Sequence, residues 1–284
     1  MFSEAALKKI RRVGKMLNAL ELFSPTLAGK TAFNFFCTPR RQTMRERDVA
    51  FLATAVRETL LFKNLKISTY CWPSRLSDAK TVLMLHGWES NSARWRKYIK
   101  ALSAAGFTVH AIDAPASGNS QGKRLNAILL SGVVQEFVAK KGTPDVIIGH
   151  SLGGAAAVMC STLLGVPQPS KMVLLGVFAE STRVIRDFGQ VLAINDKVVA
   201  AIYREIEKRS GIPIDAYSVV QKATQLLGVR GLVIHDLNDD VAPVEEGRLV
   251  AEAWGATFMQ TEGLGHRLQD KSVVKAVVDF AKQM

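Results

Sequence analysis

Cysteine is scarce in this chain of 284 residues: Cys37, Cys71 and Cys160 are the only three, they lie far apart, and no CxxC pair occurs. That removes the basis for a disulfide framework or a cysteine-built zinc site, and reduced thiols in a cytoplasmic protein are expected. Histidine is scarce as well, with five residues: His86, His110, His150, His235 and His266. No run of about 18 apolar residues is present, so no transmembrane helix is expected. The N-terminal stretch MFSEAALKKIRRVGKMLNALELF has charges inside every apolar run, so it lacks the apolar region of a signal peptide. Internal repeats and low-complexity segments are absent too.

What the chain has in excess is positive charge. The net charge is +12, and residues 1–47 contribute a net of +7 from ten Lys/Arg and three Glu. Such an excess attracts nucleic acid, anionic lipid or acidic substrates. No RNA-binding or helix-turn-helix signature accompanies it, so nucleic acid is not an expected partner. On a helix, Leu7, Ile10, Val13, Leu17 and Leu20 share one face, while Lys8, Arg11 and Lys15 lie elsewhere. Such a helix either packs on its own domain or lies on an anionic membrane surface, peripheral to its inner face. Hydrophobic residues at 48% and charged residues at 22% are ordinary for a globular chain long enough to bury a sizeable core.

From residue 60 onward, short β-branched runs alternate with helical stretches, the pattern of a parallel α/β sheet. Strands are expected at 65–72, 81–87, 108–114, 145–151, 171–177, 231–237 and 256–262. Helices are expected near 92–105, 121–140, 152–164, 244–254 and 271–283. Several strands are almost wholly apolar, as strands covered on both faces are. Residues 179–228 break the rhythm and read as two or three helices inserted between sheet strands, a lid or cap over the open end of the sheet. Residues 1–58 read as a helical N-terminal extension with turns at SPTLAG and TPRR, leaving 59–284 as the main domain.

GHSLGG, residues 149–154, follows the apolar strand DVII and precedes the helix-forming AAAVMCSTLL. A G-x-S-x-G between strand and helix is the context of a nucleophile elbow, with Ser151 as the nucleophile. The tight turn presents Oγ at the carboxyl end of the sheet and near the free N–H groups of a helix N-terminus. The backbone N–H of the next residue, Leu152, is then one oxyanion donor. The segment lacks the lysine and spacing of a P-loop, and Ser151 occupies the second-glycine place of GxGxxG.

LMLHGW, DAPASGNS and GHSLGG together resemble the α/β-hydrolase superfamily over roughly residues 60–284. The resemblance implies an α/β-hydrolase fold: a mostly parallel central sheet flanked by helices, with a helical cap insertion. Ala116 is a departure, since the family usually has glycine there. The resemblance also implies a second oxyanion donor, the backbone N–H of Trp88, whose indole either lines the pocket or packs in the core. In the family's chain order of serine, acid, histidine, only His266 of GLGHRL leaves room for an acid before it. HDLNDDVAP, residues 235–243, offers Asp236, Asp239 and Asp240. A family arrangement with the acid four residues before a proline points from Pro243 to Asp239, with Asp240 the runner-up and Asp236 third.

These residues imply a serine hydrolase acting on a small-molecule carboxylic ester. Thioesters or lactones, a lipase at a membrane surface, and a non-catalytic binding protein on the same scaffold are the alternatives. No metal or organic cofactor is implied.

Overall fold

Apolar runs too short for helices build the centre of the molecule. The computed structural model describes residues 4–283, so Met1–Ser3 of the basic N-terminal stretch and Met284 lie outside the described residues. In chain order the elements are α1 (Glu4–Phe23), α2 (Pro25–Phe36), α3 (Glu46–Leu52), β1 (Val56–Phe62), β2 (Leu65–Trp72), β3 (Thr81–Leu85), α4 (Arg96–Ala104), β4 (Thr108–Ile112), α5 (Ala127–Lys141), β5 (Val146–His150), α6 (Leu152–Leu163), β6 (Lys171–Leu175), α7 (Ser181–Leu192), α8 (Asp196–Ser210), α9 (Val219–Ala223), β7 (Arg230–Asp236), α10 (Val244–Trp254), β8 (Thr257–Thr261) and α11 (Lys271–Lys282). Among them, no helix is long and apolar enough to cross a membrane. No disulfide joins the three cysteines.

The strands form one sheet in the order β1-β2-β4-β3-β5-β6-β7-β8. The pairs from β4 through β8 are parallel, and β1–β2 and β2–β4 are antiparallel. The order reverses at β3, whose neighbours are β4 on one side and β5 on the other. A reversal of this kind opens a crevice at the carboxyl ends of the strands. Every side chain of β5 and β6 is buried, which explains why these segments read as unbroken apolar runs.

Two elements differ from the sequence expectation. Strand β1 spans residue 58, where a helical extension was expected to end. Its polar start, VRET, hides the alternation, and the hairpin to β2 turns on Lys63 at φ 52° rather than on an Asn-Gly or Asp-Gly pair. The helix expected from 121 starts at Ala127, because Asn126 caps it by accepting from the Leu129 N–H at 2.8 Å. Gln121 is instead held beside β2, through Lys66 N–H to its Oε1 (3.0 Å) and its own N–H to Lys66 O (2.9 Å).

The described residues fall into two compact units. One unites the chain up to Thr38 with the insertion Glu180–Ser218. Its helices α2 and α8 cross closely because Gly29 has no side chain: a Cβ there would stand 2.4 Å from Ala201 O. Ala28 and Ala32, both buried, complete that small-residue face. Helix α1 joins this unit through Asn18, whose side chain bonds Ala193 O (3.0 Å) and the Asn195 N–H (2.9 Å). The other unit, residues 39–179 with 219–284, holds the sheet and its flanking helices. Where the insertion leaves and re-enters this second unit, the Val219 N–H donates to Ala179 O at 2.8 Å and the Ala179 N–H donates to Glu246 Oε2 at 2.6 Å.

Ile148, fully buried on β5, belongs to a continuous cluster with Met84, Val109, Val173 and Ile234 of the neighbouring strands. Ile148→Ala is expected to cost about 2–5 kcal/mol of stability, measured as a lowered urea midpoint with an unchanged slope.

Candidate active site

Trp88, Ser151, Asp239 and His266 all lie in connections that follow parallel strands. Ser151 is the turn between β5 and α6, with φ 51° and ψ −121°. For a residue with a side chain, that backbone costs on the order of 1–3 kcal/mol and persists only where the surroundings enforce it. They do so here: the Ser151 N–H donates to Leu175 O of β6 at 2.9 Å, and α6 begins pressed against β3. A Cβ on Gly153 would stand 2.2 Å from Leu85 O, so only glycine permits that approach.

The first turn of α6 leaves donors unused, as helix N-termini do. The Gly154 and Ala155 N–H groups bond Ser151 O, while the Leu152 N–H has no acceptor among the described residues; the Trp88 N–H has none either. A Cβ built on Gly87, next to Trp88, would lie 3.1 Å from the Ser151 Cβ, which puts the HGW turn beside the serine. The Trp88 side chain is 38% exposed, so it is no core tryptophan.

This turn is clamped from two sides. His86 is fully buried, bonds Gly87 O through Nδ1 (2.8 Å) and accepts the Ala114 N–H at Nε2 (2.9 Å). Burial holds its pKa below the usual histidine value against the pull of Asp113. Glu89, at φ 47°, takes Arg40 in a fork: Nε to Oε1 at 3.0 Å, Nη2 to Oε2 at 2.7 Å, and the Arg40 N–H to Oε1 at 2.9 Å. Arg41 reaches the Gly118 and Ser120 carbonyls at 3.0 and 2.7 Å. The TPRR segment, expected only as a turn, thus grips two loops of the site.

Asp113 organises the DAPASGNS loop by accepting from the Ser92 N–H, the Asn119 N–H and the Tyr70 hydroxyl at 2.8, 2.8 and 3.0 Å. Burial and this carboxylate push the Tyr70 hydroxyl up to about 12. Ala116, the departure from the family motif, sits at φ 60°. The motif's usual glycine would be relaxed there, whereas alanine carries roughly 1–2 kcal/mol of left-handed strain.

The three aspartates of HDLNDDVAP have three different environments. Asp236 ties its loop to the histidine loop by accepting from Thr261 Oγ1 (2.7 Å) and the Leu264 and Gly265 N–H groups (3.0 and 2.9 Å). Asp240 is exposed. Asp239 is buried, with Oδ1 accepting from the Val241 and Ala242 N–H groups at 2.9 Å each and Oδ2 accepting from His266 Nδ1 at 2.8 Å. Gly176, at φ 55°, backs this pair: a Cβ there would lie 3.3 Å from His266 Nδ1 and 3.4 Å from Asp239 Oδ2.

The His150 ring lies 4.7 Å from the His266 ring, and its Nε2 donates to His266 O at 2.7 Å. Burial, with Arg94 and His266 nearby, holds the His150 pKa well below the usual value. Ser151 therefore follows a histidine that fastens the His266 loop. No hydrogen bond joins the Ser151 hydroxyl itself to another described residue. Among the described residues no cluster of His, Cys, Asp and Glu is arranged to hold a metal ion.

Sequence reasoning missed Gly176, which stands in no motif, and the Arg40–Glu89 clamp, whose partners are 49 residues apart. It also left His235 without a role. That ring is fully buried, with Nε2 at 2.8 Å from Ala242 O and 3.2 Å from Asp239 Oδ2.

Residues 82–280 match the sequence model of the alpha/beta hydrolase family. The chain belongs to that family. Among similar proteins of known sequence, a monoacylglycerol lipase of Mycolicibacterium smegmatis is 30% identical over 91 residues, which cover 29% of this chain and 32% of the lipase. A pimeloyl-[acyl-carrier protein] methyl ester esterase of Pectobacterium carotovorum is 32% identical over 91 residues, covering 32% of this chain and 34% of the esterase. This alpha/beta hydrolase therefore matches about a third of the length of either relative. Among solved structures, the esterase EaEST of Exiguobacterium antarcticum superposes with a TM-score of 0.62 at 17% identity, over 80% of this chain and 100% of the esterase. The enol-lactonase of Burkholderia xenovorans gives 0.61 at 19% identity, again over 80% of this chain and 100% of its own. At such identities these two likenesses concern the fold alone.

The Asp239 carboxyl sets a pH test for this loop of the alpha/beta hydrolase fold. Burial opposes its ionisation, but hydrogen bonds from His235, His266 and the Ala242 N–H outweigh that and hold the pKa well below the usual carboxylate range. A depressed pKa stabilises the fold above the unfolded value of about 3.9 and ceases to do so as pH falls through the folded value. The stability gap between wild type and Asp239→Asn is thus expected to be constant above about pH 5 and to narrow below about pH 4, as read by urea unfolding at stepped pH.

Proposed function

We propose that the protein is a serine hydrolase that cleaves carboxylic esters through an acyl-enzyme on Ser151, with His266 as general base and Asp239 as its carboxylate partner. The observation that carries this reading is the 2.8 Å contact between His266 Nδ1 and buried Asp239, at the edge of the sheet where the β5–α6 turn holds Ser151 in a strained backbone. With Nδ1 engaged, Nε2 is the nitrogen left for proton transfer.

In this mechanism Ser151 Oγ attacks the ester carbonyl and its proton passes to His266 Nε2. The tetrahedral oxyanion is held by the Leu152 and Trp88 N–H groups, each worth roughly 3–4 kcal/mol where such donors have been removed elsewhere. Collapse breaks the bond to the alkoxy group, which leaves as the alcohol with the proton from His266. Water then attacks the acyl-enzyme and gives a proton to the same nitrogen; collapse breaks the bond between the acyl carbon and Oγ, His266 returns that proton to Oγ, and the acid is released with Ser151 regenerated. Asp239 keeps the imidazole in the tautomer this sequence needs. Thioesters are open to the same steps, and the acyl-carrier methyl ester named for one relative is an ester of the same class.

A second element of the proposal is peripheral contact with anionic membrane. Its support is the outward face of α1 and its turn into α2: Met16, Leu22 and Phe23 are 71%, 75% and 87% exposed, beside exposed Lys9, Arg11, Arg12, Lys15 and Lys30. Exposed apolar side chains among cations, with Glu21 buried, suit an interface of lipid tails and anionic headgroups.

Three experiments test these readings. A fluorophosphonate probe is expected to label the wild-type chain at Ser151 and to leave Ser151→Ala unlabelled; a wild-type protein that never reacts would sink the enzyme reading. Among folded variants, Ser151→Ala and His266→Ala should each lower kcat by at least about a thousandfold, and Asp239→Asn by about a hundredfold or more. If Asp240→Asn is the inactive variant instead, the acid is misassigned. For the membrane, Leu22→Glu with Phe23→Glu should abolish cosedimentation with vesicles of phosphatidylserine and phosphatidylcholine while leaving hydrolysis of a soluble nitrophenyl ester unchanged. Equal vesicle binding by both proteins would remove the role given to this face.

A further inference from the structure

The one histidine that HDLNDDVAP contributes is placed too close to Asp239 to be an ordinary core residue. His235 is the last residue but one of β7, with its ring fully buried. Its Nε2 faces two acceptors, Ala242 O at 2.8 Å and Asp239 Oδ2 at 3.2 Å. Since both neighbours can only accept, Nε2 carries the hydrogen. Nδ1 is buried with no hydrogen-bond partner, so a second proton there would be an unsatisfied buried donor, and the ring is the neutral Nε2–H form. Space for this tautomer comes from α10: a Cβ on Gly247 would stand 2.2 Å from Nδ1.

We propose that His235 is a positioning residue for the reaction, holding Asp239 by two routes at once. Its shorter bond pins the Ala242 carbonyl, and the Ala242 N–H in turn bonds Asp239 Oδ1 at 2.9 Å. Its N–H also turns a positive end toward Oδ2, the oxygen that receives His266 Nδ1. The carboxylate thus has every nearby donor assigned: the Val241 and Ala242 N–H groups on Oδ1, and His235 and His266 on Oδ2. A carboxylate so held is less free to rotate and less basic than one bonded to His266 alone.

The inference rests on the hydrolase reading of this site and adds a sign. Removing the His235 N–H leaves Oδ2 more basic and removes a positive dipole end near the imidazolium of His266. Both changes favour protonated His266. Among the other charged and titratable groups around His266 are His150, whose tilted ring lies 4.7 Å away, and Arg94, whose Nη2 bonds the Arg267 carbonyl at 3.0 Å. Neither touches His235 in the bonds that define it, so neither masks the change.

The test compares His235→Phe, which keeps a ring of similar bulk without the donor, with His235→Gln, whose amide can restore an N–H near the Nε2 position. For His235→Phe, kcat/KM for a soluble ester is expected to fall about tenfold at neutral pH with KM little changed, and the acid limb of the pH profile to move up by about half a unit to one unit. His235→Gln should restore most of both. A residue that only fills space predicts the reverse: an unshifted profile for Phe, or a loss for Gln equal to that for Phe, and either result would overturn the proposal. A second readout needs no turnover. In protein labelled with 15N-histidine, the His266 titration midpoint should rise in His235→Phe and stay near wild type in His235→Gln. A shifted midpoint in a protein without esterase activity would fault the hydrolase reading and leave the positioning intact. If His235→Phe does not fold, Gly247→Ala, which displaces the ring without altering its chemistry, should raise the midpoint, and an unmoved midpoint would overturn the proposal.

Discussion

A serine held at φ 51° is the constraint around which the sheet unit is arranged. The turn from β5 into α6 is tight only if a helix can begin against the end of the neighbouring strand, and it can do so only because Gly153 presents no side chain to Leu85 O. The apolar strands on either side hold the turn in place through their packing. Because β3 and β5 are neighbours at the point where strand order reverses, the HGW turn and the serine turn emerge side by side. Strain at one residue is thereby balanced by the burial of several strands, and the unused N–H groups of Leu152 and Trp88 are brought to the same edge.

The acid loop solves a different problem. A buried carboxylate is costly unless donors surround it, and besides His266 the chain supplies them from within nine residues. His235 comes from the end of β7, and Val241 and Ala242 come from the turn before Pro243, which directly precedes α10. Asp236 does the complementary work, fastening the acid loop to the Leu264–Gly265 backbone so that His266 is delivered at a fixed height. Two aspartates three residues apart thus divide the labour between loop geometry and the contact with His266.

Much of this was legible in sequence because it depends on local pattern. Seven strands stood out as short runs between helical stretches, several of them almost wholly apolar, and the turn at Ser151 was marked by the coincidence of strand, G-x-S-x-G and helix. Strand β1 did not, since an edge strand with a polar start and a Lys-Asn turn carries little alternation. Nor did the Arg40–Glu89 and Arg41–Gly118 contacts, which join segments that no periodicity relates. The surroundings of His235 were not legible either: only the return of the chain through Ala242 brings two acceptors to its ring. The pairing of the N-terminal helices with the insertion was likewise invisible, being a matter of small residues meeting across a long separation.

That pairing constrains substitution. The insertion leaves and rejoins the sheet unit at Ala179 and Val219, which are hydrogen-bonded to each other, so the strands on either side keep their register whatever lies between. Loop closure of this kind tolerates wide variation in length. Yet the inserted helices are not independent, because α8 accepts α2 only where Gly29 meets Ala201. A larger side chain at that contact on either helix therefore calls for a compensating change on the other, so the N-terminal segment and the insertion form one packed module written in two places along the chain.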